Sequence, residues 1–125
     1  MSGGSLTFEA AVKTADCKGC MVVIPKANQL FIDIDKEEDK KAFRKHLKTL
    51  KKECPGLVLD VKNKPSSSKG HRHITIELSE DIEDGTRILL QAVLGSDRVR
   101  ELLSYVRLRS GFRKHPTLFF EKRKK

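Results

Sequence analysis

The chain has 125 residues, 38% hydrophobic and 34% charged, with 26 Lys and Arg against 17 Asp and Glu for a formal net charge of +9. Length and composition describe one modest domain; no apolar run approaches the ~18 residues of a membrane span, and no basic-then-apolar start marks a signal peptide. The basic excess gathers in residues 98–125, which hold ten Lys/Arg and two Glu; this balance favours a polyanionic partner such as nucleic acid, although Lys122–Lys125 serve equally well as a solubilising tail.

Residues 1–5 read as a flexible lead or a cloning remnant, residues 6–121 as a single domain and residues 122–125 as a basic tail. Thr7–Ala15 is a predicted short helix, and Met21–Ile24 a short strand stopped by Pro25. Between them, Cys17-Lys18-Gly19-Cys20 has the spacing of half a zinc site, with only Cys54 and scattered histidines to complete it. Zinc, redox and plain structural roles stay open there, and three cysteines without a leader point to a reducing cytosol. Leu30–Asp35 alternates as a strand, with Leu30, Ile32 and Ile34 on one face and Phe31, Asp33 and Asp35 on the other. From Glu38 to Lys52 the period becomes helical, and Phe43, Leu47 and Leu50 form one packing stripe among lysines.

Pro55-Gly56 breaks the chain, and Leu57–Asn63 reads as a strand with Leu57, Leu59 and Val61 inward. Residues 64–70 are a loop by composition. His71–Leu78 is the clearest strand: Ile74, Ile76 and Leu78 inward, His71, His73, Thr75 and Glu77 outward. Asp84–Leu94 and Asp97–Arg109 are predicted helices parted at Gly95-Ser96, with Ser96 as N-cap of the second and Gly111 at its end. Thr117–Glu121 is the last strand, with Leu118 and Phe120 inward. After the short N-terminal helix and strand, the order βαββαβ predicts an α+β, ferredoxin-like or RRM-like fold. Its four-stranded antiparallel sheet has helices on one face, and the first strand of the unit sits between the third and fourth. The other face is expected to be open and to gather Asp33, Asp35, His71, His73, Thr75, Thr117 and Glu121, together with Phe31 and Phe119.

Two aspartates at i and i+2 facing away from a core raise each other's pKa unless a cation lies between them; a solvated strand end is the plainer reading. The Ser66–Gly70 loop adds hydroxyls, backbone N–H groups and Lys69 beside the two histidines, the makings of a phosphate cradle. Asp33-Ile34-Asp35, a helix, a strand and then Ser66-Ser67-Ser68-Lys69-Gly70-His71-Arg72-His73-Ile74-Thr75-Ile76 resemble the catalytic core of archaeo-eukaryotic primase-polymerases, over roughly residues 30–78. The resemblance implies a nucleotidyltransferase that uses a divalent metal (Mg or Mn), with nucleic acid and nucleoside triphosphates as partners. Asp33, Asp35 and Glu121 would be the metal carboxylates, and His73 would contact the triphosphate. Ser67, Ser68, Lys69 and His71 would lie at the nucleotide phosphates. Three features depart from the family: neither histidine has the single-residue spacing from Gly70, the third acid is Glu where the family has Asp, and the family's polymerases are considerably longer, with extra elements for template and nucleotide. Arg107, Arg109, Arg113 and Lys114 are the expected nucleic-acid contacts from the basic end. The Leu90–Asp97 and His115–Glu121 pieces are also similar to small phage-encoded proteins, which implies a cytoplasmic setting, that of the host.

Three rival readings use the same face. The runner-up is a non-catalytic RRM-like module that binds single-stranded nucleic acid by stacking on Phe31 and Phe119. A two-histidine phosphoesterase would use His73/Thr75 and His115/Thr117 as paired His-x-Thr motifs. A histidine-dyad nicking endonuclease would use His71 and His73 with Tyr105 as nucleophile.

Overall fold

The computed structural model describes residues 8–17, 19–65, 70–111 and 116–122. The expected lead and residues 123–125 of the expected tail lie outside them. In chain order the elements are α1 (Phe8–Cys17), β1 (Cys20–Val23), β2 (Gln29–Ile34), α2 (Glu37–Glu53), β3 (Val58–Pro65), β4 (Arg72–Leu78), α3 (Asp84–Val93), α4 (Arg98–Ser110) and β5 (Phe119–Lys122). The protein is α+β: the described residues form an antiparallel three-stranded sheet in the order β2-β4-β3, a separate antiparallel pair β1-β5, and four helices. Among the described residues no helix is long and apolar enough to cross a membrane.

Period-two alternation sends Leu30, Ile32 and Ile34 of β2 and Ile74, Ile76 and Leu78 of β4 to one face, where Phe43 and Leu94 complete a buried core. Leu47, Leu50 and Leu90 pack against it, so α2 and α3 cover this face. Each such aliphatic side chain contributes roughly 1.5–3 kcal/mol by leaving water. Acidic Glu37, Glu38 and Asp39 in the first turn of α2 and Lys51 and Lys52 in its last suit the helix dipole. Leu59, expected inward, is 62% exposed. An irregularity between Val58 and Asp60 gives β3 one extra residue and turns Leu59 out, leaving Leu57, Val58 and Val61 on the core.

Chain order from β2 to β5 is the expected one, but β5 does not join β2. It pairs with β1, in the register Val22↔Phe120 and Cys20↔Lys122. The physical reason lies along the outer edge of β2, whose backbone groups are already satisfied by other partners. Gln29 N–H donates to Lys26 O at 3.0 Å, and Gln29 O accepts from Arg87 Nε at 2.8 Å. Phe31 N–H donates to Gln91 Oε1 at 2.8 Å, and Phe31 O accepts from Arg100 Nη1 at 2.7 Å. Asp33 N–H donates to Ser96 Oγ at 3.0 Å, and Asp33 O accepts from Asp97 N–H at 2.7 Å. The α3–α4 corner thus stands where a fourth strand would bond, and it removes an exposed sheet edge.

The corner requires Gly95. Its φ is +96°, and a Cβ there would lie 3.0 Å from Asp39 O of α2. The N-cap of α4 is Asp97, whose Oδ1 accepts from Val99 N–H at 3.0 Å and Arg100 N–H at 3.4 Å. Ser96, expected as the cap, is instead buried with its hydroxyl turned toward β2 and Glu101. Gly111 closes α4 in the left-handed conformation, as its position in the sequence suggests.

Candidate active site

The second face of the sheet carries Phe31 and Asp33 from β2 and His73 and Thr75 from β4. Asp33 is directly opposite His73, and Phe31 opposite Thr75. Asp35 follows β2 by one residue and His71 precedes β4 by one, so all four candidate polar residues meet at one end of the sheet. The expected open face is covered at its centre. Phe31, His73 and Phe119 are 3%, 5% and 2% exposed. The Phe119 ring lies parallel to Phe31 at 4.3 Å between centroids and to His73 at 3.8 Å, and the Arg100 guanidinium stands 5.1 Å from its centre. Burial of these rings against one another explains the difference, because an uncovered pair of phenylalanines would leave a large apolar area in water.

Beside this stack, Asp33 Oδ1 is buried and has no hydrogen-bond partner among the described residues. It approaches His71 Nδ1 at 3.7 Å and His73 Nε2 at 4.0 Å, both beyond hydrogen-bond length. Burial raises the Asp33 pKa above the ordinary carboxylate value; Arg100 and His71 oppose that shift, while Asp97 and Asp35 add to it. A carboxylate so placed has three routes to relief: a proton, a protonated imidazole, or a cation. Among the described residues no three His, Cys, Asp or Glu side chains form a group that could hold a metal ion.

The other expected site residues fall as follows. Ser67, Ser68 and Lys69 lie outside the described residues; the strands they connect end beside the site, where Pro65 pairs with Arg72. Glu121 is on β5 opposite Met21, in the second sheet, and its side chain is outside the described set. Arg107 is half-buried, its Nε enclosed and without a hydrogen-bond partner among the described residues, and burial lowers its pKa. Arg109 is exposed on α4, whereas Arg113, Lys114 and His115 lie outside the described residues. Thr117 is buried, with Oγ1 accepting from Gln91 Nε2 at 3.4 Å, which gives it a structural partner in place of a phosphate. Tyr105 is 50% exposed on α4. Cys20 is buried at the start of β1 and Cys54 is exposed after α2; the Cys17 side chain is outside the described set.

A second polar cluster escapes sequence reasoning. Gln91, Ser96 and Glu101 are each at most 2% exposed. Glu101 Oε1 accepts from Gln91 Nε2 at 2.9 Å, and Oε2 accepts from Ser96 Oγ at 2.7 Å and Arg100 Nη1 at 2.6 Å. Arg100 also donates to Leu118 O at 3.2 Å, tying β2, the corner and the approach to β5 together. Arg87, 4% exposed, donates to Ala27 O at 2.9 Å and pairs with Asp84. The available signal was Arg87 and Gln91 at i and i+4, which interrupts the apolar face of α3 at helical spacing.

Comparison of the chain with protein-family models, with curated proteins and with solved structures returned no significant match.

Proposed function

We propose that this chain is a metal-dependent nucleotidyltransferase of minimal primase-polymerase type acting on nucleic acid, with its centre at Asp33 and Asp35. The observation that carries the reading is Asp33 Oδ1, a buried carboxylate oxygen with no hydrogen-bond partner among the described residues, beside two imidazoles. Folded proteins rarely leave such an atom without a use. The donor set fits Mg or Mn, hard cations that take oxygen ligands. Magnesium is commonly held by one or two carboxylates plus the phosphates of its substrate, so a full protein cage is not required. A bound ion would neutralise charge that develops on a transferring phosphoryl group and align its oxygens.

Asp33 and Asp35 would hold the ion, and Glu121 remains the proposed third acid. His71 and His73 would donate hydrogen bonds to nucleotide phosphates, with Ser67, Ser68 and Lys69 as the further phosphate contacts that the family resemblance implies. His73 is held in orientation by its stack on Phe119. The ferredoxin-like succession supports the same reading: β2 and β3 both run antiparallel to β4, and α2 crosses between them as in a split βαβ unit. In this reading β5 is the fourth strand of that succession, drawn away to β1. A cytoplasmic setting, that of the host for a phage-encoded chain, would supply the nucleotides. Single-strand binding without catalysis is less well supported, because Phe31 and Phe119 are stacked on each other and buried.

The test is nucleotide incorporation with Mn²⁺ or Mg²⁺ on primed and unprimed single-stranded templates, with Asp33→Ala and His73→Ala beside the parent. Product that disappears in both variants is expected. Absence of product from a folded parent that still binds the template would contradict catalysis.

A further inference from the structure

A second concavity lies on the opposite face of the sheet from Asp33 and His73. It has a volume of about 360 Å³ and is lined by Ile34, Lys40, Phe43, Arg44, Asn63, Arg72 and Ile74. The register explains its make-up. Ile34 pairs with Arg72 across β2 and β4, and Ile74 pairs with Asn63 across β4 and β3, so these four side chains share the core face at the open end of the sheet. Lys40 and Arg44 are one turn apart on α2 and overhang that end. Among the described residues its lining has three cationic side chains and no carboxylate, above apolar residues of the core.

The cations are available. Arg72 donates through Nε to Asn63 Oδ1 at 2.8 Å, which fixes the guanidinium and leaves its two terminal nitrogens without a partner among the described residues. Arg44 is exposed and forms no ion pair among the described residues. Lys40 meets Glu37 at 2.9 Å, but Glu37 is 80% exposed on the first turn of α2, and such surface pairs hold weakly. Three cations sharing one concavity repel one another unless an anion of matching charge sits among them. Two guanidinium groups favour phosphate, through planar, paired hydrogen bonds. The concavity has room for a chain of phosphates among the three cations, while Ile34, Phe43 and Ile74 beneath them are buried members of the core.

We infer that this cavity is a binding site for a polyphosphate group, with its phosphates on Lys40, Arg44 and Arg72. It does not depend on the metal reading of Asp33, because it lies on the other side of the sheet and needs no divalent cation.

The experiment is titration calorimetry of the full chain with ATP in EDTA, repeated with inorganic tripolyphosphate. Saturable binding of one ATP per chain is expected, and Arg44→Gln/Arg72→Gln should weaken it at least about tenfold, as loss of two charge-assisted contacts implies. Arg44→Gln alone, at an exposed position that cannot disturb the core, should weaken it by about threefold or more. Lys48→Gln/Lys51→Gln removes the same charge from other exposed positions of α2 and should cost less than about twofold, as should Asp33→Ala, if the attraction is local rather than that of the whole protein. Tripolyphosphate should bind within about threefold of ATP, because the contacts are made to the phosphates and the apolar residues beneath are already out of water. The inference is overturned by any of four results: no saturable binding, an equal loss in the lysine pair, a loss in Asp33→Ala, or tripolyphosphate binding more than about tenfold more weakly than ATP.

Discussion

Two polar regions meet at β2, and Asp33 belongs to both. Its backbone N–H and C=O belong to the outer edge, where Ser96 and Asp97 satisfy them. Its side chain belongs to the end of the sheet, where one carboxylate oxygen is buried without a hydrogen bond among the described residues. In the first region Gln91, Ser96, Arg100 and Glu101 close a network in which each charge has partners, and burial there holds the fold together. In the second, burial is left uncompensated, which favours any proton or cation that arrives. The two buried carboxylates thus differ in their partners: Glu101 is bonded through both oxygens, whereas Asp33 Oδ1 has no hydrogen-bond partner among the described residues. The sets of groups around each carboxylate tell the two apart; their burial alone does not.

The largest expected effect tests the bonded region. Glu101→Ala leaves the Arg100 guanidinium and the Ser96 and Gln91 donors without their acceptor, and loss of one partner of a buried pair costs about 3–5 kcal/mol. Urea denaturation should show that loss, while Mn²⁺ affinity of the folded fraction stays unchanged. An effect below about 1 kcal/mol would mean that the network is not what holds the edge. Gly95→Ala comes next. The left-handed backbone and the approach to Asp39 O should together cost about 1–3 kcal/mol, seen as a lower midpoint with the same slope.

The smallest effect is on pH dependence. Burial raises the Glu101 pKa above 4.5 despite Arg100 and its hydrogen bonds. The folded state thus binds this proton more tightly than the unfolded state does. Stability from this group is complete below the unfolded value and is lost as pH rises through the folded one, with a slope of at most about 1.4 kcal/mol per pH unit. Glu101→Gln should lack that slope, whatever its absolute stability. A parent whose stability rises with pH across the same window, relative to the variant, would reverse the sign and break the comparison.

Much of this architecture is legible in the sequence because it depends on short-range periodicity. Leu30, Ile32 and Ile34 at period two, Phe43, Leu47 and Leu50 at helical spacing, and Gly111 after α4 place their elements within about two residues. Antiparallel pairing of two alternating strands also brings Asp33 and His73 to one face. What the sequence hides is the choice among distant partners. Gln91, Ser96 and Arg100 look like ordinary polar helix positions until the corner folds against β2 and substitutes for a strand. The destination of β5 follows from that substitution, and so does the burial of Phe31 and His73 beneath Phe119. Leu59 was misread for a local reason, since one extra residue reverses the alternation that every inward assignment rests on.

The most direct measurement is Mn²⁺ binding, by electron paramagnetic resonance, to the parent and to Asp33→Asn, with the thermal midpoint of each recorded on the same samples. Asn keeps the shape of the side chain and removes the buried charge. The expected result is Mn²⁺ binding by the parent, a loss of at least about tenfold in the variant, and a midpoint that is unchanged or higher. Equal Mn²⁺ binding by both proteins, or a variant that unfolds as Glu101→Ala does, would contradict the assignment of Asp33 to a site and return it to the structural network.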